Sequence, residues 1–414
     1  MVMRDYDVVV VGGGPAGCMA AKYAAKGGAS TLILEEHAEI GKPVHCAGLI
    51  SRRAIEESEL QNKSFINCEI KGAVVYSPSF ELILESPNQK AFAIKRDAFD
   101  QALAQAAKKE GADIMLGSKV NRVRKREGEK GLTVTTTTTN REENIRATVV
   151  IGADGVKSLV AKMAGLAVTK RRLSCVQIEG AYETEEAFAE IFVGRSVAPG
   201  FFAWVIPLGV EHTARIGLCI DKTVSPQPNP LPILKKNVLE HPVIARKYKG
   251  TPSKVTAGMI PIPVGLGWRG QRHYTVKAYM DGGILLVGDA AVQIKPITGG
   301  GVYYGMKCGK IAGEIAAQAC LSGEMKLLNE YERRWRSAIG SEITFGLKVH
   351  RLRCVMSDRD LDTVLHTLSR NDIAQHVRKT GDMDYPALAL RELVTNPCLF
   401  SVMARNILKY LYIK

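Results

Sequence analysis

A glycine-rich loop near the N-terminus lies between a predicted strand and a predicted helix, and this arrangement restricts the fold more than any other feature. Residues 6–11 are rich in β-branched side chains and predict a buried strand. Gly12, Gly14 and Gly17 follow in a G-x-G-x-x-G pattern, and an alanine-rich helical stretch comes next. A second predicted strand, 30–35, ends in an acidic residue at the distance expected of a βαβ unit. We therefore expect a parallel, Rossmann-like α/β sheet.

The same loop has the chemistry of a dinucleotide site. Gly12 permits the turn, Gly14 lets the backbone approach a pyrophosphate, and Gly17 packs the helix on the strand. The helix N-terminus would stabilise the phosphate charge, and Glu35 would accept hydrogen bonds from ribose hydroxyls. We predict a bound dinucleotide; a glycine-rich turn without a nucleotide is the alternative.

The pattern along the rest of the chain predicts three regions. With 414 residues, 46% of them hydrophobic, the chain can bury a large core. Short alternating strands over 71–95 and 175–220 predict an antiparallel sheet, whereas helical spacing appears after Asp97 and again after about Leu321. We expect a discontinuous nucleotide-binding domain over 1–70, 96–170 and 275–320, an antiparallel substrate domain over 71–95 and 171–274, and a helical C-terminal region over 321–414.

Charge and cysteine spacing exclude several kinds of partner. Lysine and arginine outnumber acidic residues 56 to 42, and the net charge of +14 favours an acidic partner such as anionic lipid. The dense basic runs, 122–126 and 170–172, have no interleaved aromatic residues for base stacking, so we expect no nucleic-acid partner. The nine cysteines include no C-x-x-C pair, which argues against zinc, iron–sulfur and dithiol sites, and we predict no metal.

The scattered cysteines and the lengths of the apolar runs predict the cellular location of the protein. Scattered cysteines in a large chain are typical of a reducing cytoplasm, in which most are small buried hydrophobic residues. The apolar run 8–11 is too short for a signal peptide, and no apolar stretch is long enough to span a bilayer. We expect a cytoplasmic protein that contacts the inner face of the cell membrane peripherally. The segment 397–414 fits a basic amphipathic helix on a membrane or, as we prefer, a helix packed on its own protein.

Two further strand ends indicate which nucleotide binds. Residues 149–155 and 284–291 each end a hydrophobic strand in Ala-Asp-Gly or Gly-Asp. Both resemble signatures of the large superfamily of flavoprotein hydroxylases and reductases, which implies FAD and the fold of para-hydroxybenzoate hydroxylase. In that superfamily an aspartate, here Asp289, binds the ribityl or pyrophosphate region. The glycines that follow, here 299–301, offer backbone N–H groups to the flavin ring.

Two other segments, 41–48 and 199–207, narrow the resemblance. Both look like segments of the geranylgeranyl reductase family, and in particular of its archaeal digeranylgeranylglycerophospholipid reductases. The resemblance extends from about residue 5 to residue 340. It implies an FAD-dependent reductase that saturates the geranylgeranyl chains of archaeal-type membrane glycerophospholipids. Its electrons would come from an external nicotinamide, reduced deazaflavin or ferredoxin.

One family pattern, P-x-x-Y-x-W-x-F-P, is only partly present. The chain has Pro199, Trp204 and Pro207, but Phe202 replaces tyrosine and Ile206 replaces phenylalanine. We expect Phe202, Trp204 and Ile206 to bind substrate, while Trp204 also fits an ordinary core aromatic. The variant approaches the W-x-W-x-I-P signature of flavin-dependent halogenases without its first tryptophan. The alternatives are therefore a flavin monooxygenase or halogenase, a membrane electron-transfer flavoprotein, and a prenyl-lipid binder with a vestigial flavin.

The resemblance also indicates which residues serve the cofactor and proton transfer. Reduction of an isolated alkene needs a hydride from the flavin and a proton from a nearby acid, because no carbonyl stabilises the charge. A thiol of ordinary pKa, about 8.5, is mostly protonated at neutral pH, so Cys46 is the candidate acid and His45 the competing donor. Arg96 fits a cofactor contact or a solvent-exposed arginine. The predicted cofactor-binding residues are Gly12, Gly14, Ala16, Gly17, Glu35, Cys46, Ala47, Gly48, Arg96, Val120, Asp289, Gly301 and Val302.

Overall fold

The computed structural model describes residues 4–85, 91–126, 130–138, 141–166, 169, 171–184, 187–209, 212–225, 227–263, 275–387, 389 and 397–412. Within these ranges the strands, in chain order, are β1 (Arg4–Val11), β2 (Thr31–Leu34), β3 (Leu49–Ser51), β4 (Ile66–Ile70), β5 (Gly72–Tyr76), β6 (Glu81–Glu85), β7 (Ala91–Ile94), β8 (Asp113–Met115), β9 (Ser118–Lys125), β10 (Leu132–Thr138), β11 (Arg141–Gly152), β12 (Arg172–Tyr182), β13 (Phe188–Phe192), β14 (Ala203–Pro207), β15 (Thr213–Asp221), β16 (Tyr248–Pro261), β17 (Val276–Tyr279) and β18 (Gly282–Leu286).

The α-helices of the same ranges include three long ones that pack on the first sheet and a series near the C-terminus. In chain order they are α1 (Pro15–Lys26), α2 (Arg52–Ser58), α3 (Arg96–Lys109), α4 (Leu159–Met163), α5 (Pro230–Ile233), α6 (Pro242–Lys247), α7 (Val302–Ser322), α8 (Glu330–Trp335), α9 (Ser341–Val355), α10 (Asp358–Leu368), α11 (Asn371–Thr380) and α12 (Pro397–Tyr412).

The first sheet contains the βαβ unit that the glycine loop predicts. Its parallel strands lie in the order β18, β11, β1, β2 and β8, which confirms the Rossmann-like fold. Strands β17, β10 and β9 extend it by antiparallel pairing. The valines at 8–11 are buried because β1 has a strand on each side and packed layers on both faces. Helices α1, α3 and α7 cover one face, and α4 with the β9–β10 hairpin covers the other.

Helices α1 and α7 approach each other closely through small residues. A Cβ atom built on Gly309 would lie 2.2 Å from the Ala16 carbonyl oxygen, and one on Gly313 would lie 2.2 Å from that of Ala20. Neither position has room for a side chain at this separation of the helices. A Cβ on Gly288 would also lie 2.9 Å from the Ala16 Cβ, so the turn after β18 touches the start of α1.

The second sheet has seven strands in the order β16, β12, β15, β14, β13, β5 and β6. Its pairs are antiparallel, as predicted, except that β5 and β13 pair in parallel. These two strands are far apart in the chain, so no hairpin dictates their direction. Strand β7, from the region predicted as antiparallel substrate domain, pairs with β3 and β4 in a separate small sheet. The domain boundaries themselves remain predictions.

The C-terminal region is helical, as predicted, and is attached to the first sheet by buried aromatic side chains. The Trp335 indole Nε1 donates to Thr275 Oγ1 at 2.9 Å, and the Tyr331 hydroxyl donates to the Leu286 carbonyl oxygen at 2.7 Å. In α12, Leu399 packs against α10 and α11, in line with a helix packed on its own protein. The side chains of positions 407 and 411, which belong to the same predicted amphipathic helix, lie outside the described residues. Within the described ranges, no helix combines the length and apolar character needed to cross a bilayer.

Two cysteines depart from the expectation of scattered, reduced thiols. Cys175 on β12 and Cys219 on β15 form a disulfide. They are direct cross-strand partners with Cα atoms 4.1 Å apart, although 44 positions separate them in the sequence. Strand register, and not spacing along the chain, brings the two sulfur atoms together, so no sequence motif signals the pair.

We expect Gly309→Ala to destabilise the protein. The added methyl group would meet the backbone of α1, and such overpacking costs about 1–3 kcal/mol, which offsets or exceeds the roughly 1 kcal/mol gained when alanine replaces a helical glycine. Thermal unfolding followed by circular dichroism should therefore show a lower Tm.

Gly340→Ala is the matched control for this packing argument. Gly340 has a helical φ of −63°, and its Cβ would lie 3.5 Å from the nearest neighbour, Arg336 Cβ. Its Tm should stay level or rise. A Gly309→Ala protein as stable as the Gly340→Ala protein would contradict the close packing of α1 on α7.

Candidate active site

The glycine loop has the geometry of a phosphate-binding turn. Gly12 has φ +106°, and a Cβ there would lie 2.5 Å from the Ala153 carbonyl oxygen. A Cβ on Gly17 would lie 2.0 Å from the Gly12 carbonyl oxygen, so this glycine lets α1 pack on its strand. A Cβ on Gly14 would meet no described atom within 4 Å. The space before Gly14, at the N-terminus of α1, is therefore open to a phosphate.

Glu35 lies beside this loop at the end of β2. Its Oε2 accepts from Gly13 N at 2.7 Å, and its Oε1 lies 2.6 Å from His37 Nδ1. A carboxylate has about four lone-pair positions, so acceptor capacity remains for a ribose. Ser118 N donates to the Glu35 carbonyl oxygen at 2.7 Å, which places the start of β9 alongside. The Val120 side chain is buried in the core, so its backbone is the part available to the cofactor.

The Asp289 turn lies next to the glycine loop because α1 and α7 are packed together. Burial raises the pKa of Asp289 to about 6. A Cβ on Gly301 would lie 2.8 Å from Asp289 Oδ1. The carboxyl group is therefore at the N-terminal end of α7, which begins at Val302. Ala16, in the first turn of α1, is the residue through which the two segments touch.

Arg96 begins α3 and is mostly buried, so the solvent-exposed alternative is wrong. Its side chain is 13% exposed. It donates from Nε at 3.1 Å and from Nη2 at 2.9 Å to the two carboxylate oxygens of Asp100. Burial opposes the charge, but Asp100 and the Cys46 thiol outweigh it and raise the pKa of Arg96. The guanidinium is therefore close enough to Cys46 for the two groups to influence each other electrostatically.

Two polar side chains of the second sheet hold the segment that contains Cys46. Gln177 Nε2 donates to the Cys46 carbonyl oxygen at 3.0 Å, and Arg215 Nη1 donates to the Ala47 carbonyl oxygen at 3.0 Å. Gly48 has φ +71°, and a Cβ there would lie 2.2 Å from Arg215 Nη1, so only glycine permits this approach. The Gly48 N–H donates to Cys46 Sγ at 3.4 Å.

His45 is exposed and is hydrogen-bonded away from Cys46. Its Nδ1 lies 2.8 Å from the Ala257 carbonyl oxygen, and because a carbonyl only accepts, Nδ1 carries the proton. A neutral ring then has a lone pair on Nε2 and no proton to deliver from that atom. His45 also lines an open cavity of about 720 Å³ between the segment 37–45 and β16.

The three predicted substrate residues lie on the face of the second sheet that packs against the Cys46 segment. Phe202, Trp204 and Ile206 share one apolar cluster with Ala47. The Trp204 indole lies over Gly217, where a Cβ would be 2.5 Å from the ring. Its Nε1 is buried without a partner among the described atoms. Trp204 is thus a core residue of this sheet, as the alternative interpretation expected, but its indole N–H has no described acceptor.

A buried polar network joins α9 to the end of β15 at the edge of this face. Asp221 Oδ2 accepts from Arg171 Nη2 at 2.7 Å and from His350 Nε2 at 3.1 Å, and Cys354 Sγ lies 3.7 Å away. Burial favours the neutral acid, but hydrogen bonds, led by that from His350, lower the pKa of Asp221. Asp, His and Cys could together hold a metal, yet Arg171 already provides the charge that Asp221 needs. The network instead fixes α9, whose Leu347 packs into the apolar cluster.

Gln177 and Arg215 are absent from the residues predicted from the sequence. Each is a polar residue in a strand that is buried along most of its length. An isolated polar residue in such a strand signals a hydrogen-bonded site. The sequence cannot name the partners, because Cys46 and Ala47 lie 131 and 168 positions away.

This arrangement fits FAD. The open space before Gly14 suits the pyrophosphate, and Glu35 suits the ribose. Asp289 and the first turn of α7 suit the ribityl chain and the ring. Ala47 belongs to the apolar cluster of the second sheet, and Cys46 and Arg96 influence each other electrostatically.

Gly14→Ala should lose FAD affinity without losing its fold. Gly14 has φ −77°, which alanine adopts readily, and the new methyl group would strike no described atom. The methyl group would occupy the space of the pyrophosphate. We expect at least about a tenfold weaker Kd, roughly 1.4 kcal/mol, and no binding for Gly14→Val. Fluorescence titration of heat-released FAD against apoprotein measures this.

Gly17→Ala provides the contrast to this test. Its Cβ would lie 2.0 Å from the Gly12 carbonyl oxygen, so the apoprotein itself should lose stability. Wild-type FAD affinity in Gly14→Val, or flavin that stays with the denatured chain, would contradict the assigned non-covalent site.

Known proteins are similar to this chain in sequence and in fold. Residues 5–230 match a family described as an FAD binding domain. The digeranylgeranylglycerophospholipid reductase 2 of Methanothermobacter thermautotrophicus is 35% identical over 397 residues, which cover 92% of this chain and 97% of that protein. A Methanocaldococcus jannaschii protein, described as uncharacterized protein MJ1520, is 33% identical over 396 residues, or 94% of each chain.

A solved structure extends this similarity to the whole fold. A geranylgeranyl bacteriochlorophyll reductase-like protein from Thermoplasma acidophilum matches with a TM-score of 0.83 at 28% identity, over 98% of this chain and 100% of that one. The resemblance seen in segments 41–48 and 199–207 is thereby confirmed. The chain belongs to the family of FAD-binding proteins that includes the archaeal digeranylgeranylglycerophospholipid reductases.

Proposed function

We propose that this chain uses FAD to saturate the geranylgeranyl double bonds of archaeal-type glycerophospholipids. The position of Cys46 carries the proposal. Gln177 on the apolar face donates a hydrogen bond to the Cys46 carbonyl oxygen. The Cys46 thiol is close enough to Arg96 of the cofactor site to influence it electrostatically. A proton donor placed there lies between a hydride source and an apolar surface. The family relationship supports the class of substrate.

The surroundings of Cys46 suit a thiol that gives up its proton. The Gly48 N–H donates to Sγ, and the positive charge of Arg96 acts on the same group from nearby, so both would stabilise the thiolate left after proton transfer. His45 is the weaker candidate because its Nδ1 proton is donated to Ala257. When bound, reduced FAD supplies the hydride, so the protein has to provide the proton and the position of the alkene.

The apolar face suits a prenyl chain. Phe202 stacks on Phe201 with ring centroids 4.5 Å apart and packs edge-to-face on Trp204 at 6.1 Å. With Ile206 these side chains belong to one apolar cluster, in which Phe202 is partly exposed and the others are buried. Each CH₂ group kept away from water contributes about 0.8 kcal/mol, so a substrate chain that packs against this cluster would keep an apolar environment.

Electrostatics supports a peripheral contact with anionic lipids on the cytoplasmic side of the membrane. The net charge of +14 attracts anionic headgroups within about one Debye length, roughly 8 Å at physiological ionic strength. The electrons reach FAD from an external nicotinamide, reduced deazaflavin or ferredoxin. Anaerobic FAD reduction with each donor in turn separates the three.

Cys46→Ala should retain FAD and lose most alkene reduction, because reduction of FAD needs no thiol whereas protonation of the alkene does. Loss of a general acid lowers the rate by roughly 10²–10⁴-fold, and Cys46→Ser should be intermediate at best. Single-turnover assays with pre-reduced enzyme measure the step. The matched control, Cys398→Ala at an exposed cysteine, should behave like the wild type. Normal turnover by the Cys46→Ala enzyme would assign the proton to His45 or to water.

Chemically reduced enzyme should add two hydrogens to each double bond of a geranylgeranylated phospholipid. Anaerobic incubation with anionic liposomes, followed by mass spectrometry of the lipids, measures the products. Added salt should weaken attachment to these vesicles, because charge drives it. Unchanged lipid masses, together with oxygenation or halogenation of a small aromatic substrate in air, would replace the reductase assignment by the monooxygenase class.

A further inference from the structure

A buried ion pair lies beneath the loop that precedes α7. Lys295 Nζ is 2.7 Å from Asp384 Oδ1, and the two side chains are 6% and 1% exposed. Lys295 Nζ also donates to the Met383 carbonyl oxygen at 3.2 Å. Removing two charges from water is unfavourable, and the pair adds little stability over apolar residues of the same size. Such a pair calls for a reason beyond stability.

Lys295 belongs to the glycine loop that suits the flavin ring. Its backbone N donates to the Gly300 carbonyl oxygen at 3.0 Å, and Gly299 N donates to the Lys295 carbonyl oxygen at 2.8 Å, so the loop closes on itself. A Cβ on Gly300 would lie 2.8 Å from Lys295 Cε and 3.2 Å from Nζ. The ammonium group therefore packs against Gly300, next to Gly301, whose N–H group at the start of α7 is the one we assign to the ring.

Asp384 is held in place by the C-terminal region and by α7. The Tyr304 hydroxyl donates to the Asp384 carbonyl oxygen at 2.7 Å, and Asp384 N donates to Asp382 Oδ1 at 2.8 Å. Asp382 is paired in turn with Arg53 of α2 at 2.9 Å. Asp384 Oδ2 is buried without a partner among the described atoms. The carboxylate thus depends on Lys295 for its charge balance, and the pair presents its positive end to the glycines.

We propose that Lys295 and Asp384 together set the reduction potential of the bound FAD. Two electrons and one proton give the ring a net negative charge, which the Lys295 ammonium group stabilises through a medium of low dielectric constant. Asp384 limits this effect by neutralising the ammonium group from the other side. Both residues act on the ring through their electric field and through the conformation of the glycine loop, so they are positioning residues. The proposal rests on the FAD assignment and is independent of the lipid substrate.

Three variants separate this role from a purely structural one. Asp384→Asn leaves the ammonium group unbalanced and should raise the midpoint potential, whereas Lys295→Met leaves the carboxylate and should lower it. The double variant should lie between Lys295→Met and the wild type. The two single variants should differ at least tenfold in the equilibrium constant for reduction, about 30 mV for a two-electron couple. Slow reduction of FAD-loaded protein in equilibrium with a reference dye measures these potentials.

A second ion pair provides the control. Lys247→Met removes the partner of Glu190, 2.9 Å away in the second sheet, and should leave the potential unchanged. If Lys295→Met fails to fold or to retain FAD, Asp384→Asn carries the test, because the amide keeps the shape of the side chain. A wild-type potential in FAD-loaded Asp384→Asn would overturn the proposal. Failure of the wild type to take up FAD would overturn it together with the cofactor assignment, whereas failure to reduce lipid bears only on the proposed function.

Discussion

The contact between α1 and α7 is the constraint on which the candidate site depends. Gly309 and Gly313 let the helices approach until the turn at Gly288 touches Ala16. The phosphate loop and the Asp289 turn then become neighbours, although they come from opposite ends of the nucleotide-binding region. An extended cofactor needs both of its ends fixed to one rigid body, and here apolar packing provides that rigidity without any polar interaction between the helices' small residues.

The candidate site also requires that the antiparallel sheet contacts the segment that contains Cys46. Gln177 and Arg215 achieve this through bonds to main-chain carbonyl oxygens of residues 46 and 47. Because these bonds go to the backbone, they position Cys46 without using the hydrogen-bonding capacity of its thiol. The Sγ atom is left to the Gly48 N–H and to the electrostatic influence of Arg96. The elements that hold the segment are therefore separate from the groups that act on its reactive atom.

Features decided by near neighbours could be predicted from the sequence, whereas contacts between sheets could not. The positive φ of Gly12 and the contact of Gly17 with the Gly12 carbonyl oxygen are local to the loop, and the glycine pattern predicted both. Gln177 meets a carbonyl group 131 positions away, and Lys295 meets a carboxylate 89 positions away. Such partners depend on strand register and on how two sheets face each other, which periodicity does not encode. The pairing of β7 outside the antiparallel sheet has the same origin.

The Cys175–Cys219 disulfide fixes the register of two strands of the antiparallel sheet. Its two residues are direct partners in the β12–β15 ladder, next on the same face to the Gln177–Gly217 pair over which the Trp204 indole lies. A slip of β15 by one residue would turn every side chain of that strand to the opposite face. The Trp204 indole would no longer lie over Gly217, and the Arg215 side chain would point away from Ala47. The covalent link prevents such a slip, so it preserves the alignment that places Trp204 over Gly217 and Arg215 beside Ala47.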